Sequence, residues 1–208
     1  MEKAVEVRAA SLFPALWAVG VGMSGVRGGH ATIVEVRRTD DGGDEYVAKV
    51  FSQLPAAFRA EVWAANAVGR HPRIVAIEDA FADPGGARPP VVVLRKAAGS
   101  LDRLKRLVRA PWQLFAIAVD LLEAVQHCHG RGVCHCDIKP ANVLVYGDPL
   151  GGFEARLSDF GLASRVDRRP AVVCTPAYRP RDCDRADLRS VDAWSLGVTL
   201  AEVAIGHH

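Results

Sequence analysis

The first half of the chain follows the pattern of a β-sheet with one helix. Small or β-branched apolar residues alternate with polar ones over 31–38, a turn follows at 40–43, and a second apolar stretch covers 46–51. This pattern predicts a β-hairpin. Residues 55–68 have helical spacing, with Phe58, Val62, Ala65 and Val68 on one face. Two more strands are predicted over 74–81 and 91–94.

The second half changes from strands to helices. A long apolar-periodic helix is predicted over 112–129, with Pro111 at its start and Gly130 at its end. Short strands are predicted over 143–146 and 154–157, and an almost wholly apolar helix over 190–205. The segment Ala97–Gly99 joins the two halves and is the natural hinge. Trp63, Trp112 and Trp194 are expected to be core anchors.

Composition and charge narrow the class of protein. The 208 residues include 26 basic and 24 acidic side chains, a formal charge of +2, which argues against a nucleic-acid-binding protein. The uncharged run 9–26 lacks a basic leader and contains Pro14 and three glycines, so a strand entering a turn fits better than a membrane or signal segment. Five cysteines favour reduced thiols and a cytoplasmic or nuclear protein.

Three short clusters carry chemistry, and they stand in a fixed order. Lys49 ends a strand, the loop His135–Asn142 follows the long helix, and Asp159-Phe160-Gly161 follows the next pair of strands. Each cluster alone is a weak signal. Together they suit phosphoryl transfer, in which a protein mainly positions groups and neutralises charge.

In this order the clusters resemble those of the eukaryotic protein kinase family, from about residue 27 to the end. The segments 71–75, 175–178 and 192–197 also resemble motifs of that family. The resemblance implies an α+β, two-lobed fold: a β-rich N-lobe with one main helix over 16–94, a hinge over 95–99, and a mostly helical partial C-lobe over 100–208.

The resemblance also implies roles for the chemical groups. Asp137 would accept the proton of the attacking hydroxyl, and Lys139 would meet the γ-phosphate of ATP. Asn142 and Asp159 would bind Mg²⁺, which prefers oxygen ligands. Thr175 would lie in the loop that faces a protein substrate. Lys139 together with Thr175 is typical of the Ser/Thr type of kinase.

The remaining expected residues bind ATP. Lys49, held by Glu61, would contact the phosphates, and Ala48 and Leu144 would sandwich the adenine, with Leu94 as the gatekeeper before the hinge. The formal G-x-G-x-x-G at 20–25 lies too far before Lys49 for one hairpin, so the glycine-rich loop is assigned to 26–33. The predicted ATP-binding residues are Val26, Gly28, Gly29, Ala31, Ile33, Ala48, Lys49, Glu61, Leu94, Arg95, Ala97 and Leu144.

The chain also departs from the family pattern. Cys136 stands where the family most often has an arginine that pairs with a phosphorylated loop, so any activity is expected not to need that phosphorylation. Asp192, in contrast, follows the family pattern, and the resemblance implies that it accepts backbone N–H groups of the catalytic loop. The chain ends just after the helix 190–205, which leaves three interpretations: a truncated product, a partner that covers this face of the C-lobe, or a chain that folds poorly.

Two other hypotheses concern metal and function. Histidines and cysteines are dense over 127–136, but the spacing of the usual zinc motifs is absent. Cys136 and Cys174 are expected to be partly exposed thiols, and Cys128 and Cys134 to be buried. The alternative to a Ser/Thr kinase that uses ATP and Mg²⁺ is a kinase-like binding module without activity.

Overall fold

In a computed structural model, the chain forms two compact units. The first comprises residues up to 69 together with 76–96, and the second comprises 70–75 together with 97–208. The structure describes residues 7–9, 17–19, 26–27, 31–39, 45–51, 55–83, 85–86, 88–108, 110–148, 152–168, 174–183 and 186–206.

The elements follow the sequence pattern closely. The α-helices are α1 (Pro55–Val68), α2 (Leu101–Leu104), α3 (Pro111–Gly130) and α4 (Leu188–Ile205). The strands are β1 (Val7–Ala9), β2 (Trp17–Val19), β3 (Val26–Arg27), β4 (Thr32–Arg38), β5 (Tyr46–Val50), β6 (Ile77–Ala82), β7 (Val91–Arg95), β8 (Gly99–Ser100), β9 (Val133–Cys134), β10 (Val143–Asp148), β11 (Gly152–Leu157) and β12 (Ser164–Arg165).

The first unit is built on one sheet with the order β1-β6-β7-β5-β4-β2, and β3 pairs with β4 off this path. The predicted hairpin is confirmed, since β4 and β5 pair antiparallel with Val34 opposite Ala48. Buried residues of this sheet, among them Val36, Phe81 and Val93, pack together in one hydrophobic cluster. The strand β1 was not predicted, because its three residues are too few to show a periodic pattern.

Trp17 is the tryptophan that packs into the core of this unit. It is 4% exposed, contacts the Tyr46 ring edge-on at 4.9 Å, and donates through Nε1 to Asp79. The expectation that Trp63, Trp112 and Trp194 are core anchors is therefore wrong. These three are 36%, 56% and 53% exposed, because each lies on the outward side of its helix.

The second unit packs α3 against the β10–β11 hairpin and against α4. Pro111 begins α3, where its missing N–H costs no hydrogen bond. Asp187 caps α4, because its side chain accepts from the N–H groups of Arg189 and Ser190. The buried face of α3 follows helical spacing, with Ile117, Leu121, Ala124, Val125 and Cys128.

One boundary differs from the prediction. The strand expected over 74–81 begins at Ile77, because the preceding segment 70–75 pairs with the second unit. The Val75 N–H donates to the Leu157 carbonyl at 2.9 Å, and the Leu157 N–H donates to the Arg73 carbonyl at 2.9 Å. Residues 70–75 were assigned to the N-lobe on sequence grounds, but their hydrogen bonds belong to the other unit.

Among the described residues, no helix combines the length and the apolar character that crossing a bilayer requires.

Candidate active site

In the first unit, Lys49 and Glu61 form a buried ion pair. Lys49 lies on β5 and Glu61 on α1, and their Nζ and Oε2 atoms are 2.7 Å apart. The two residues are 8% and 4% exposed. The pair expected from the family resemblance is therefore present. A buried carboxylate that holds a lysine in this way fixes the position of one positive charge.

The other predicted ATP-binding residues of this unit lie on neighbouring strands. Val26 pairs with Ile33, and Ile33 pairs with Lys49, so these three residues lie on adjacent strands. Ala31, Ala48 and Leu94 are buried, whereas Arg95 is exposed. Gly28 and Gly29 lie outside the described residues, and the binding roles remain predictions.

In the second unit, the loop after β9 brings together Asp137, Lys139 and Asn142. The Nζ atom of Lys139 is 2.8 Å from Oδ2 of Asp137. The amide of Asn142 donates to the Asp137 carbonyl at 2.8 Å and to its Oδ2 at 3.0 Å. Asp137 is 9% exposed and Asn142 is 5% exposed. A carboxylate held by two donors in this way keeps one orientation.

Thr175 completes this group, and its contacts were not anticipated from the sequence. Its hydroxyl donates to Oδ1 of Asp137 at 2.6 Å and accepts from Nζ of Lys139 at 2.8 Å. Its backbone N–H also donates to Oδ1 of Asp137 at 3.1 Å. An aliphatic hydroxyl thus lies between a carboxylate acceptor and a cationic donor. The sequence signal was only that Thr175 belongs to the segment 175–178, which resembles a motif of the family.

His135 fixes the backbone around this loop. Its Nδ1 accepts from the Asp137 N–H at 3.2 Å, which makes Nε2 the protonated nitrogen, and Nε2 donates to the Ser158 carbonyl at 2.9 Å. Ser158 in turn donates through its N–H and its hydroxyl to the Asn142 carbonyl. Nothing in the sequence indicated the linking role of Ser158, because a serine before Asp159 has no distinctive pattern.

Asp192 confirms the role predicted for it. Its carboxylate accepts from the backbone N–H groups of His135 and Cys136, each at 2.8 Å, and lies 2.9 Å from Nε2 of His129. Asp192 is 1% exposed. A helix therefore holds the catalytic loop through one carboxylate.

The same contact bears on the zinc hypothesis. Among the described residues, His129, Cys134 and Asp192 form one group whose ligand atoms lie within 4.8 Å of one another. The His129–Asp192 separation is that of a hydrogen bond, and Asp192 already accepts two backbone N–H groups. These side chains are therefore explained by packing.

Asp159 begins the turn after β11 and has a left-handed backbone, with φ of 62°. Its Oδ1 accepts from the Gly161 N–H at 3.4 Å. Asn142 uses its NH₂ group on Asp137, which leaves its amide oxygen as a candidate metal ligand. Carboxylate and amide oxygens are the donors that Mg²⁺ prefers, so Asp159 and Asn142 fit this ion.

Leu144 and Ala97 are the remaining predicted ATP contacts, and both belong to the second unit. Leu144 lies on β10, half-buried, and pairs with Ser100 of β8. Ala97 is half-buried and lies between β7 and β8. The contact of these two residues with adenine remains a prediction.

The cysteines near the loop are more buried than expected. Cys136 is 8% exposed and packs with Cys134 and Leu188, so the prediction of a partly exposed thiol is wrong for it. Burial, with the Asp192 carboxylate next in effect, raises its pKa. Cys174 is half-buried, and Cys128 and Cys134 are buried as predicted. All five cysteines lie in the described residues, and none forms a disulfide.

Comparison with known proteins identifies the family. A model of the protein kinase domain matches residues 27–208, so the chain belongs to the protein kinase family. The chain is 35% identical over 153 residues to CBL-interacting protein kinase 4 of Oryza sativa subsp. japonica, covering 66% of this chain and 32% of the relative.

Two further relatives come from animals. Serine/threonine-protein kinase D2 of Homo sapiens is 33% identical over 175 residues, which is 76% of this chain and 19% of that protein. Ribosomal protein S6 kinase alpha-3 of Homo sapiens is 28% identical over 171 residues, which is 78% of this chain and 23% of that protein. The chain thus spans less than a third of the length of these relatives.

Proposed function

We propose that this chain is the catalytic domain of a Ser/Thr protein kinase that transfers the γ-phosphate of Mg-ATP to a protein hydroxyl. One observation carries the proposal. Asp137 and Lys139 hold the hydroxyl of Thr175 between a carboxylate acceptor and a cationic donor. An attacking serine or threonine hydroxyl needs the same two partners. The similarity to serine/threonine-protein kinase D2 supports the same class of acceptor.

The role proposed for each side chain follows from its charge. Asp137 accepts the proton of the attacking hydroxyl, and its buried carboxylate is held in one orientation by Asn142 and Lys139. Lys139 stabilises the negative charge that develops on the transferring phosphate. Lys49, fixed by Glu61, contacts the α- and β-phosphates.

The proposal assigns Mg²⁺ to Asn142 and Asp159. When bound, the ion would neutralise phosphate charge and lower the barrier to transfer. The chain's own contribution is the rigid placement of the ligands. The Asn142 carbonyl accepts two hydrogen bonds from Ser158, the residue directly before Asp159.

The proposed substrate is a protein, and not a nucleic acid, because the near-neutral charge of the chain offers no general attraction to polyanions. We also propose a cytoplasmic or nuclear location. The five free thiols suit a reducing compartment.

The test is transfer of labelled phosphate from ATP to a general Ser/Thr substrate. Asp137→Asn should lower the rate by about 10²–10⁴-fold, the usual contribution of a general base. Asp167→Asn is a matched control, because it makes the same change at an exposed carboxylate that pairs with the neighbouring Arg165. Its rate should equal that of the wild type.

A binding measurement separates the two hypotheses. If the wild type binds Mg-ATP but transfers no phosphate, the kinase-like binding module is correct. If Asp137→Asn transfers phosphate as fast as the wild type does, the assignment of Asp137 as the base is wrong.

A further inference from the structure

Leu157 is held on both sides by a segment distant in sequence. Its N–H donates to the Arg73 carbonyl and its carbonyl accepts from the Val75 N–H, each at 2.9 Å. Ile74 forms a parallel bridge with it. Leu157 is fully buried and ends β11, two residues before Asp159. The segment 70–75 therefore fixes the strand that delivers the proposed metal ligand.

The side chain of Arg73 fixes that segment in turn. Its Nε lies 3.0 Å from Oδ1 of Asp120 and 3.3 Å from Oε2 of Glu123, both on α3. Its Nη1 lies 3.9 Å from Oε1 of Glu154 on β11. Asp120 is 5% exposed, and its other oxygen accepts from the Ala155 N–H at 3.0 Å. One guanidinium thus joins α3, β11 and the segment 70–75.

Leu157 and Ser158, the two residues before Asp159, are both held by hydrogen bonds. After Leu157, Ser158 uses its N–H and hydroxyl on the Asn142 carbonyl, and its own carbonyl accepts from His135. The chain therefore has little freedom between the bonds at Leu157 and the turn at Asp159. A displacement of β11 would reach Asp159 through two peptide units.

We propose that Arg73 is a positioning residue for the magnesium ligand Asp159. It acts through the backbone bonds at Leu157 and makes no contact with substrate. The inference rests on the proposed function at one point, namely that Asp159 binds Mg²⁺. Groups that orient metal ligands usually change metal affinity by about 10–100-fold when removed. Arg73 acts from further away, so we expect a value at the lower end.

The test compares Arg73→Met with Arg156→Met. Arg156 lies on β11, where its guanidinium pairs with Glu154 of the same strand and lies 4.5 Å from the ring centroid of Tyr146 on the neighbouring strand β10. In each variant, Mg²⁺ is titrated at fixed ATP, and both the melting temperature and the phosphate-transfer rate are followed. Arg73→Met should raise the half-saturating Mg²⁺ concentration about tenfold in both readouts. The rate at saturating Mg²⁺ should stay close to that of the wild type, and Arg156→Met should leave the midpoint unchanged.

Hydrogen exchange reports the mechanism directly. The Leu157 amide should exchange faster in Arg73→Met and at the wild-type rate in Arg156→Met. If Arg73→Met does not fold, Arg73→Lys takes its place, since lysine keeps the charge near Asp120 but has no fork to reach Glu154 as well. A several-fold rise in the Mg²⁺ midpoint is then expected.

Two results would overturn the proposal in distinguishable ways. An unchanged Mg²⁺ midpoint in a folded Arg73 variant, with wild-type phosphate transfer intact, would leave Arg73 a purely structural residue. A wild type whose ATP response is indifferent to Mg²⁺ would remove the proposed function itself, and the positioning role with it.

Discussion

Lys49 and Glu61 show how one pair of residues carries both stability and function. Their charged atoms are 2.7 Å apart, and the side chains are 10% and 5% exposed. Removing one partner of a buried pair leaves an uncompensated charge, whereas replacing both with apolar groups is often neutral or stabilising. Stability and activity can therefore be separated at this site.

Lys49→Met should lower the free energy of unfolding by about 3–5 kcal/mol, because Glu61 stays buried without its partner. The double variant Lys49→Met/Glu61→Leu should recover most of that loss but remain inactive, since the charge proposed to contact the phosphates is gone. Denaturant unfolding and phosphate transfer check the two halves of this prediction. A double variant no more stable than Lys49→Met would show that the ion pair is not the source of the loss.

The turn 71–74 is the element whose stability should depend most clearly on pH. His71 stacks on His127 of α3, with ring centroids 4.4 Å apart. Its Nδ1 accepts from the Arg73 N–H at 3.2 Å, so protonation at Nδ1 removes an acceptor. Burial lowers the pKa of His71, and the nearby His127 and Arg73 lower it further, while Glu123 opposes them.

The sign of the effect follows from linkage. The unfolded chain takes up a proton near the ordinary histidine pKa of about 6.5, before the folded chain does. The stabilising contribution is therefore complete above that pH and is lost as the pH falls toward the lowered pKa of the folded state. The melting temperature should fall over this range.

The variant His71→Asn tests this reasoning, because its Oδ1 can still accept from the Arg73 N–H but does not titrate. Its melting temperature should depend less on pH between 5 and 7 than that of the wild type. His127→Phe is the matched control for the stack, since it keeps an aromatic ring beside His71. Equal pH dependence in His71→Asn and the wild type would contradict the prediction.

The catalytic loop is held by apolar packing where the family usually has an arginine. Cys136 packs with Cys134 and Leu188, and Leu162 and Val166 pack against this cluster. Thr175 is hydrogen-bonded to Asp137 through its backbone N–H and its hydroxyl. The catalytic loop and Thr175 are therefore held by contacts among unmodified groups.

Phosphatase-treated protein should retain its activity, and Ser164→Ala should be as active as the wild type. Mass spectrometry of the active protein checks the prediction. Loss of activity on phosphatase treatment, together with phosphate at Ser164 or Thr175 in the active form, would refute it.

At the scale of the whole molecule, the sequence predicted the helices, the strands and the catalytic residues better than the residues that hold them in place. Periodicity indicated α1 and α3, because a long apolar face repeats many times. Lys49, Asp137 and Asp159 were found because the motifs have a fixed order. Arg73, Ser158 and the buried Trp17 were missed, because their partners lie far away in sequence and only tertiary contacts reveal them. Trp112 shows the reverse error: it was expected to be buried because it is a tryptophan, but it is exposed.

The binding of Mg-ATP should be visible in the stability of the whole chain. A ligand at a hundredfold excess over its Kd stabilises the native state by about 2.7 kcal/mol. For a chain of this size, each kcal/mol raises the melting temperature by about 2–4 °C, so the rise should be about 5–10 °C. ATP without Mg²⁺ should give a smaller rise, and Asp159→Asn should reduce the difference between the two conditions. A melting temperature that does not respond to Mg-ATP in the wild type would show that the retained catalytic residues do not form a working nucleotide site.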